Sequence, residues 1–370
     1  MRAGASLLLA VVVIGLVGAS GATAHSPAST PTTAIAPVDV LLAVDATWSM
    51  AASIEQAKRD AERVAAGVRD VTPDFRLGVA VFRDYRNPAG EYELLQPLTR
   101  DVAAVRSALN RVQAVHNPDP ANVDAESYTL MFRKSHSDPA IGWRPEAKKI
   151  MTVIGDAEPY GAGGAGLPGC RNDVRDPDGL NAPAELARMK EKHIVLLMVR
   201  QVTSATTASL ECFQSIARRA ASGSAARDSG RADLAGPILA LFKQSLTPLT
   251  LTATKTSLRL GASARQTLMV TNRISVPVRV AWLRARLPRG LRYAGTSATR
   301  PPARRLTSRS TLLVWHVNRT VAPGKSVTIG FTAVATKAGR YRPTADGLSV
   351  FDNGRPVQLA ARGPVVTVAR

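Results

Sequence analysis

Asp45, Thr47 and Ser49 place three side-chain oxygens at alternate positions of one short stretch, inside VDVLLAVDATWSM. Oxygen donors bunched on a tight turn suit a hard cation. Mg²⁺ takes near-octahedral oxygen ligation and keeps some of its water, with Mn²⁺ or Ca²⁺ as alternatives. A fourth donor, Asp156 in KIMTVIGDAEPY, also follows an apolar run. Catalytic arrangements are thin by comparison. None of the five histidines (His25, His116, His136, His193, His316) lies beside a serine or cysteine in a nucleophile pattern. Cys170 and Cys212 lack zinc spacing, and GAGGAG at 161–166 lacks the lysine of a phosphate loop. The chemistry expected is therefore coordination, and the chain is not expected to be an enzyme.

The elements that must hold these oxygens are legible. Val38–Val44 and Lys149–Gly155 are short apolar runs, as strands buried on both faces are. Further strands are expected at Phe75–Arg83, Glu91–Thr99 and His193–Val199. Between them, helical spacing predicts helices at about 53–71, after Asp101, and at about 125–134, 183–192, 207–221 and 232–245. Strands alternating with helices imply an α/β fold, doubly wound, with a mainly parallel sheet. In such a sheet, ligands bind beyond the carboxyl ends of the strands, where Asp45 and Asp156 fall.

With these segments in view, residues 38–246 resemble a von Willebrand factor type A domain, a Rossmann-like fold that carries a metal-ion-dependent adhesion site. Asp45-Ala46-Thr47-Trp48-Ser49 matches the family's Asp-x-Ser/Thr-x-Ser segment, and Asp156 matches its third segment. Phe82-Arg83-Asp84-Tyr85 adds likeness to a bacterial branch. The resemblance implies direct metal ligation by Thr47 and Ser49, with Asp45 and Asp156 acting mainly through water. The family's second segment falls in NPDPANVDAES, where Asp124 is the choice and Asp119 the fallback. It also implies a protein partner whose acidic group completes the metal's shell. With three carboxylates present, tighter metal retention and weaker partner capture are expected. Trp48 stands where the family usually has glycine. Its ring either packs under the loop or stands out as a partner-binding platform.

The stretch from Asp156 to about Ala182 is long for a connection, and such loops tend to be functional. Cys170 lies within it, and Cys212 lies in the helix after the fifth strand. An even pair in an exported chain suggests a disulfide, which would pin this loop at the rim of the sheet. Asp176, Asp178, Gly179 and Glu185 form only part of a calcium-loop pattern, and a solvated acidic loop is expected there.

Export is indicated by the N-terminus. Arg2, the apolar run Leu7–Val17 and Ala22-Thr23-Ala24 read as a signal peptide over residues 1–24, with a flexible Ser/Thr/Pro leader at 25–37. A secreted or cell-envelope location follows, with no transmembrane span expected after cleavage.

From Leu246 the helical spacing stops. Short alternating runs such as SVTIGFTAV, punctuated by Pro and Gly, predict an all-β sandwich over 247–370. It resembles the Ig-like modules of bacterial surface proteins. This segment carries 21 Lys and Arg against two acids, Asp346 and Asp352, and so nearly all of the chain's net charge of +20. Polyanions such as a cell-wall polymer are its expected partners. Specific nucleic-acid binding is not expected, because the arginines are scattered with few aromatics beside them. An alternative function follows, in which the basic sandwich binds a polyanion or acts structurally and the metal site is vestigial.

Overall fold

The structure is a computed structural model that describes residues 37–85, 87, 89–116, 125–202, 206–221, 223–230, 233–274, 276–296, 301–351 and 356–370. The expected signal peptide and nearly all of the leader lie outside these residues, as do Asp119 and Asp124.

Eight strands and six helices build the first portion among the described residues. The strands are β1 (Val38–Asp45), β2 (Phe75–Phe82), β3 (Tyr92–Thr99), β4 (Ala125–Glu126), β5 (Lys148–Gly155), β6 (Glu158–Pro159), β7 (Ile194–Gln201) and β8 (Ala225–Ser229). The helices are α1 (Ala51–Val71), α2 (Val102–Arg111), α3 (Tyr128–Ser137), α4 (Ala182–Glu191), α5 (Leu210–Ala217) and α6 (Ala235–Leu246). The main sheet has the order β3-β2-β1-β5-β7-β8 and is parallel except for the β2–β3 pair. All eight residues of β1 are buried, which is why its sequence is almost uninterrupted apolar. Successive residues serve opposite faces. Val40, Leu42 and Val44 pack towards α1, α2 and α6, while Leu41 and Ala43 pack towards α3, α4 and α5.

Two expectations change, and one strand was not expected. The helix expected at 125–134 begins only at Tyr128, because Ala125 and Glu126 instead pair in parallel with Glu158 and Pro159. The helix expected at 207–221 is confined to Leu210–Ala217 and is capped by Ser209, whose hydroxyl accepts from Cys212 N at 3.0 Å. Strand β8, AARDS, has no apolar run; it is a strand because it completes the exposed edge of β7.

Among the described residues, the chain then continues in strands alone. They are β9 (Leu249–Ala253), β10 (Ser257–Arg259), β11 (Ser263–Thr271), β12 (Val278–Pro288), β13 (Leu291–Thr296), β14 (Ala303–Leu306), β15 (Ser310–Val321), β16 (Ser326–Ala335), β17 (Gly339–Tyr341), β18 (Thr344–Phe351), β19 (Pro356–Arg362) and β20 (Val366–Ala369). A four-stranded sheet, β13-β16-β11-β9, and a five-stranded sheet, β14-β15-β12-β18-β19, are antiparallel throughout. Trp315 of the larger sheet meets Phe331 of the smaller at 5.4 Å between ring centres, so the two sheets share a core. A third sheet, β10-β20-β17, contains a parallel β10–β20 pair and departs from a purely antiparallel sandwich.

Only Thr247 and Pro248 separate α6 from β9. Leu241, Phe242 and Leu246 belong to the same buried cluster as Leu249, Leu251 and Leu268. At this junction Lys148 donates to Ser245 O, and Arg273 N donates to Leu246 O at 3.1 Å. Burial pushes the Lys148 ammonium down to about 7, and the nearby Arg273 charge adds to the shift. Phe242→Ala is expected to cost about 3–5 kcal/mol and to lower one cooperative melting transition that involves both regions. Two separate transitions in calorimetry, only one of them shifted, would show that the shared core does not couple them.

Candidate metal centre

Asp45 ends β1, and Asp156 follows the last residue of the neighbouring parallel strand β5. Strand pairing therefore brings together two acids 111 positions apart in the chain. The stretch after Asp45 is strapped on both sides. Ala46 N donates to Phe82 O at 2.9 Å, Val115 N donates to Ala46 O at 2.9 Å, and Thr47 bridges Val115. A single 3-10 turn, Trp48–Met50, then leads directly into α1.

Within this frame the oxygens form a chain. Asp45 Oδ1 accepts from Thr47 N at 3.0 Å and from Thr47 Oγ1 at 2.7 Å. The Thr47 and Ser49 hydroxyls are 3.3 Å apart, and Ser49 Oγ donates to Asp156 Oδ1 at 3.1 Å. Asp45 and Asp156 are 0% and 1% exposed. Tyr128 OH donates to Asp45 Oδ2 at 3.4 Å. Gly155 makes that approach possible, since a Cβ there would lie 1.9 Å from the Tyr128 oxygen.

A fifth oxygen donor enters from β4. The β4–β6 pairing sets Glu126 opposite Pro159, just beyond Asp156. Glu126 Oε2 and Asp156 Oδ2 are both shut off from solvent with no hydrogen-bond partner. Among the described residues, no lysine or arginine pairs with Asp45, Glu126 or Asp156. Burial pushes the Asp45 carboxyl up to about 7, with the Asp156 charge adding to the shift, and burial pushes Asp156 up to about 6. Burial also drives Glu126 well above the carboxylate range, reinforced by Asp45, Asp84 and Asp156. Three buried carboxyls without a counter-charge cannot all ionise at neutral pH. Two hydroxyls and three carboxyls, two of them with an unpartnered oxygen, fit a divalent cation.

The sequence reading brought Asp45, Thr47, Ser49 and Asp156 to one site and missed Glu126. Its chosen second-segment residue, Asp124, and the fallback Asp119 lie outside the described residues. Glu126 lies two positions beyond Asp124 in sequence, but only the register of β4 against β6 singles it out. Trp48 is 63% exposed beside the site, its ring edge-on to His116 at 6.3 Å. The packed alternative for this ring is therefore excluded.

The described loops around the site are tied down. Arg83 is buried and donates through Nη1 to Ala89 O and Gly90 O at 3.2 and 3.1 Å, fixing the β2–β3 turn. Asp84 accepts from Tyr160 OH at 2.5 Å, and Tyr85 OH donates to Asp176 Oδ2 at 2.9 Å. Cys170 and Cys212 form a disulfide across 42 positions. Beside it, Glu158 Oε2 accepts from Arg171 N at 2.6 Å and Asn172 N at 2.8 Å. The acidic part of the long loop is solvated only in part, with Asp173 and Asp178 exposed. Asp176 is buried and also accepts from Asp178 N and Leu180 N, while Glu185 pairs with His136 at 2.7 Å and with Arg188. Both acids are engaged away from any shared calcium position. Glu158 lies close to the two cysteine sulfurs, but these are bonded to each other and unavailable as thiolates.

Compared by sequence, the chain matches no protein-family model and no curated protein. Compared by structure, it is similar to a von Willebrand factor type A protein from Catenulispora acidiphila. The TM-score is 0.39 and the identity 11%, over 89% of this chain and 67% of that one. It is also similar to the pilus adhesin SpaC from Lactobacillus rhamnosus GG, with TM-score 0.40 and 13% identity, over 88% of this chain. The match spans 44% of the adhesin, less than half its length. The open conformation of SpaC gives TM-score 0.36 and 14% identity. Scores at this level leave any functional conclusion to the geometry of the site.

Two outcomes follow. A carboxyl with a raised folded-state value stabilises the fold below its unfolded value near 4, and that contribution is lost as pH rises through the folded value. The metal-free protein should therefore lose stability from this site between about pH 4 and 7. Mg²⁺ should then raise Tm more at pH 8 than at pH 5 in thermal melts; equal gains at both would refute the charge argument. Reducing the disulfide should cost about 2–5 kcal/mol and weaken metal binding, because the Glu158 clamp adjoins Cys170. Unchanged metal affinity after reduction would show that the clamp does not support the site.

Proposed function

We propose that this chain is a secreted or cell-surface binding protein of the von Willebrand factor type A kind. In this reading Asp45, Thr47, Ser49, Glu126 and Asp156 hold a divalent cation, Mg²⁺ foremost. The observation that carries the proposal is the pair of buried, unpartnered oxygens, Asp156 Oδ2 and Glu126 Oε2, beside two hydroxyls already aligned with Asp45. A bound cation supplies Lewis acidity towards an anionic oxygen. The residues would orient it and exclude water from the strand side, where Tyr128 and Phe82 pack edge-on at 4.8 Å. The ligand is an acidic side chain or carboxylate of a protein partner, and the exposed ring of Trp48 gives that partner an apolar contact next to the charge. The activity is binding without turnover.

An extracellular or envelope location is part of the same proposal. The disulfide suits an oxidising compartment, and the first 24 residues have the composition of an export signal. No helix among the described residues is long and apolar enough to cross a membrane.

Calorimetric titration with Mg²⁺, Mn²⁺ and Ca²⁺ tests the site. Asp45→Ala should abolish binding, and Glu126→Gln should weaken it at least about tenfold, the equivalent of one lost charged ligand at roughly 1.4 kcal/mol. Trp48→Ala should leave metal affinity unchanged. Wild-type affinity in Asp45→Ala would end the metal reading. Wild-type affinity in Glu126→Gln alone would return the third carboxylate to Asp124 or Asp119.

A further inference from the structure

The other concentration of unbalanced charge lies in the β region. At one end of the five-stranded sheet is an open groove of about 490 Å³, lined by Arg286, Arg309, Arg342, Thr307, Ser310 and Thr344 among others. No acidic or aromatic side chain lines it. The volume falls in the range of ordinary ligand sites, but the lining is guanidinium and hydroxyl instead of apolar.

The fold sets these groups in place. Arg286 projects from β12 at the position flanked by Leu312 of β15 and Thr344 of β18. Its Nη1 donates to Ser310 Oγ at 3.3 Å, which steadies the guanidinium at the groove. Arg309 sits in the tight turn between β14 and β15. That turn is closed by Thr307 N donating to Ser310 O at 2.9 Å and Ser310 N donating to Thr307 Oγ1 at 3.0 Å. Arg342 lies in the short connection between β17 and β18. All three arginines are exposed, and no described carboxylate pairs with any of them. Elsewhere in the same sheet an arginine does find an acid. Arg284 forms a two-pronged pair with Asp346, at 2.7 Å through Nε.

Three unpaired guanidinium forks around one groove match oxyanions, which accept two parallel hydrogen bonds from each fork. The hydroxyls of Ser310 and Thr344 line the groove beside them, while that of Thr307 donates to Ser310 O and holds the turn. The absence of an aromatic ring removes the stacking platform on which single-stranded nucleic acids rely. Open at the sheet end and embedded in a region with 21 basic residues and two acids, the groove suits a repeating anion better than an isolated one.

We infer that this groove binds the oxyanion groups of a linear, base-free anionic polymer, independently of the metal centre. The test is fluorescence titration of the full protein, in EDTA, with long-chain polyphosphate, poly-glutamate and single-stranded DNA. Arg309→Gln/Arg342→Gln removes two groove arginines. Arg279→Gln/Arg319→Gln removes the same charge at the other end of β12 and β15, roughly 20 Å away by strand rise. Binding of polyphosphate or poly-glutamate should weaken at least about tenfold in the groove variant, with a shallower salt dependence, and less than about twofold in the control variant. Whichever of the two polymers binds tighter identifies the oxyanion as phosphate or carboxylate. Equal losses in the two double variants would mean diffuse attraction and overturn the site. Tighter binding of DNA through the same arginines would overturn the base-free polymer. Loss of binding in Asp45→Asn would place the polymer at the metal centre and overturn the independence of the groove.

Discussion

Most of this structure can be understood from one constraint: a buried carboxylate needs a partner. The fold buries several acids and answers nearly all of them. Asp39, at the start of β1, is neutralised by Arg144 through Nε at 2.9 Å and through the backbone N at 2.8 Å. Asp60 accepts from Leu234 N and Ala235 N and so fastens α1 to the start of α6. Asp176, Glu158 and Glu185 each have two or more donors. The exception is the group at the carboxyl end of β1 and β5, where Asp45, Glu126 and Asp156 lie together, one oxygen each of Glu126 and Asp156 has no hydrogen-bond partner, and no lysine or arginine among the described residues pairs with them. Two aspartates on one strand thus differ: Asp39 pairs with Arg144, whereas Asp45 accepts from Thr47 and Tyr128 and pairs with no lysine or arginine among the described residues.

Keeping such a cluster together requires loops that do not retreat from it. Among the described residues, the neighbouring loops are held by bonds unrelated to the cluster. Arg83 ties the β2–β3 turn to itself, and Ser127 Oγ donates to Arg83 O, connecting that turn to the start of α3. Tyr85 and Tyr160 pack edge-on at 5.3 Å and direct their hydroxyls to Asp176 and Asp84. The disulfide closes the far side; in the chain-entropy picture, a loop of this length contributes about 4 kcal/mol. The long segment after Asp156 is therefore a set of struts around the site. Its length reflects the number of anchors it carries.

Charge divides the chain in the opposite sense. The α/β region is nearly balanced overall and concentrates its unmet negative charge in one buried cluster, while the β region is strongly basic and exposes it. The two regions share a continuous apolar core through α6 and β9. A shared core of that kind joins both chemistries in one chain, one suited to a cation and the other to an anion.

How much of this was legible in the sequence follows from what each feature depends on. β1 and β5 could be read because strands buried on both faces have to be apolar along their whole length. Asp45, Thr47, Ser49 and Asp156 could be read because their positions follow directly from where those strands end. The change to β structure after Leu246 and the concentration of arginine there are likewise properties of composition and period. Other features had no local signal. AARDS became a strand only because the edge of β7 was open, and Ala125–Glu126 gave up a helical turn only because β6 was there to pair with. That pairing is what carries Glu126 into the cluster. The exposure of Trp48, the bond that turns Asp176 inward and the convergence of Arg286, Arg309 and Arg342 depend likewise on contacts between segments distant in sequence. The sequence by itself determined the apolar central strands β1 and β5 and which oxygens cap them. Tertiary structure alone decided which acids go unanswered, because a counter-charge is a matter of distance in space.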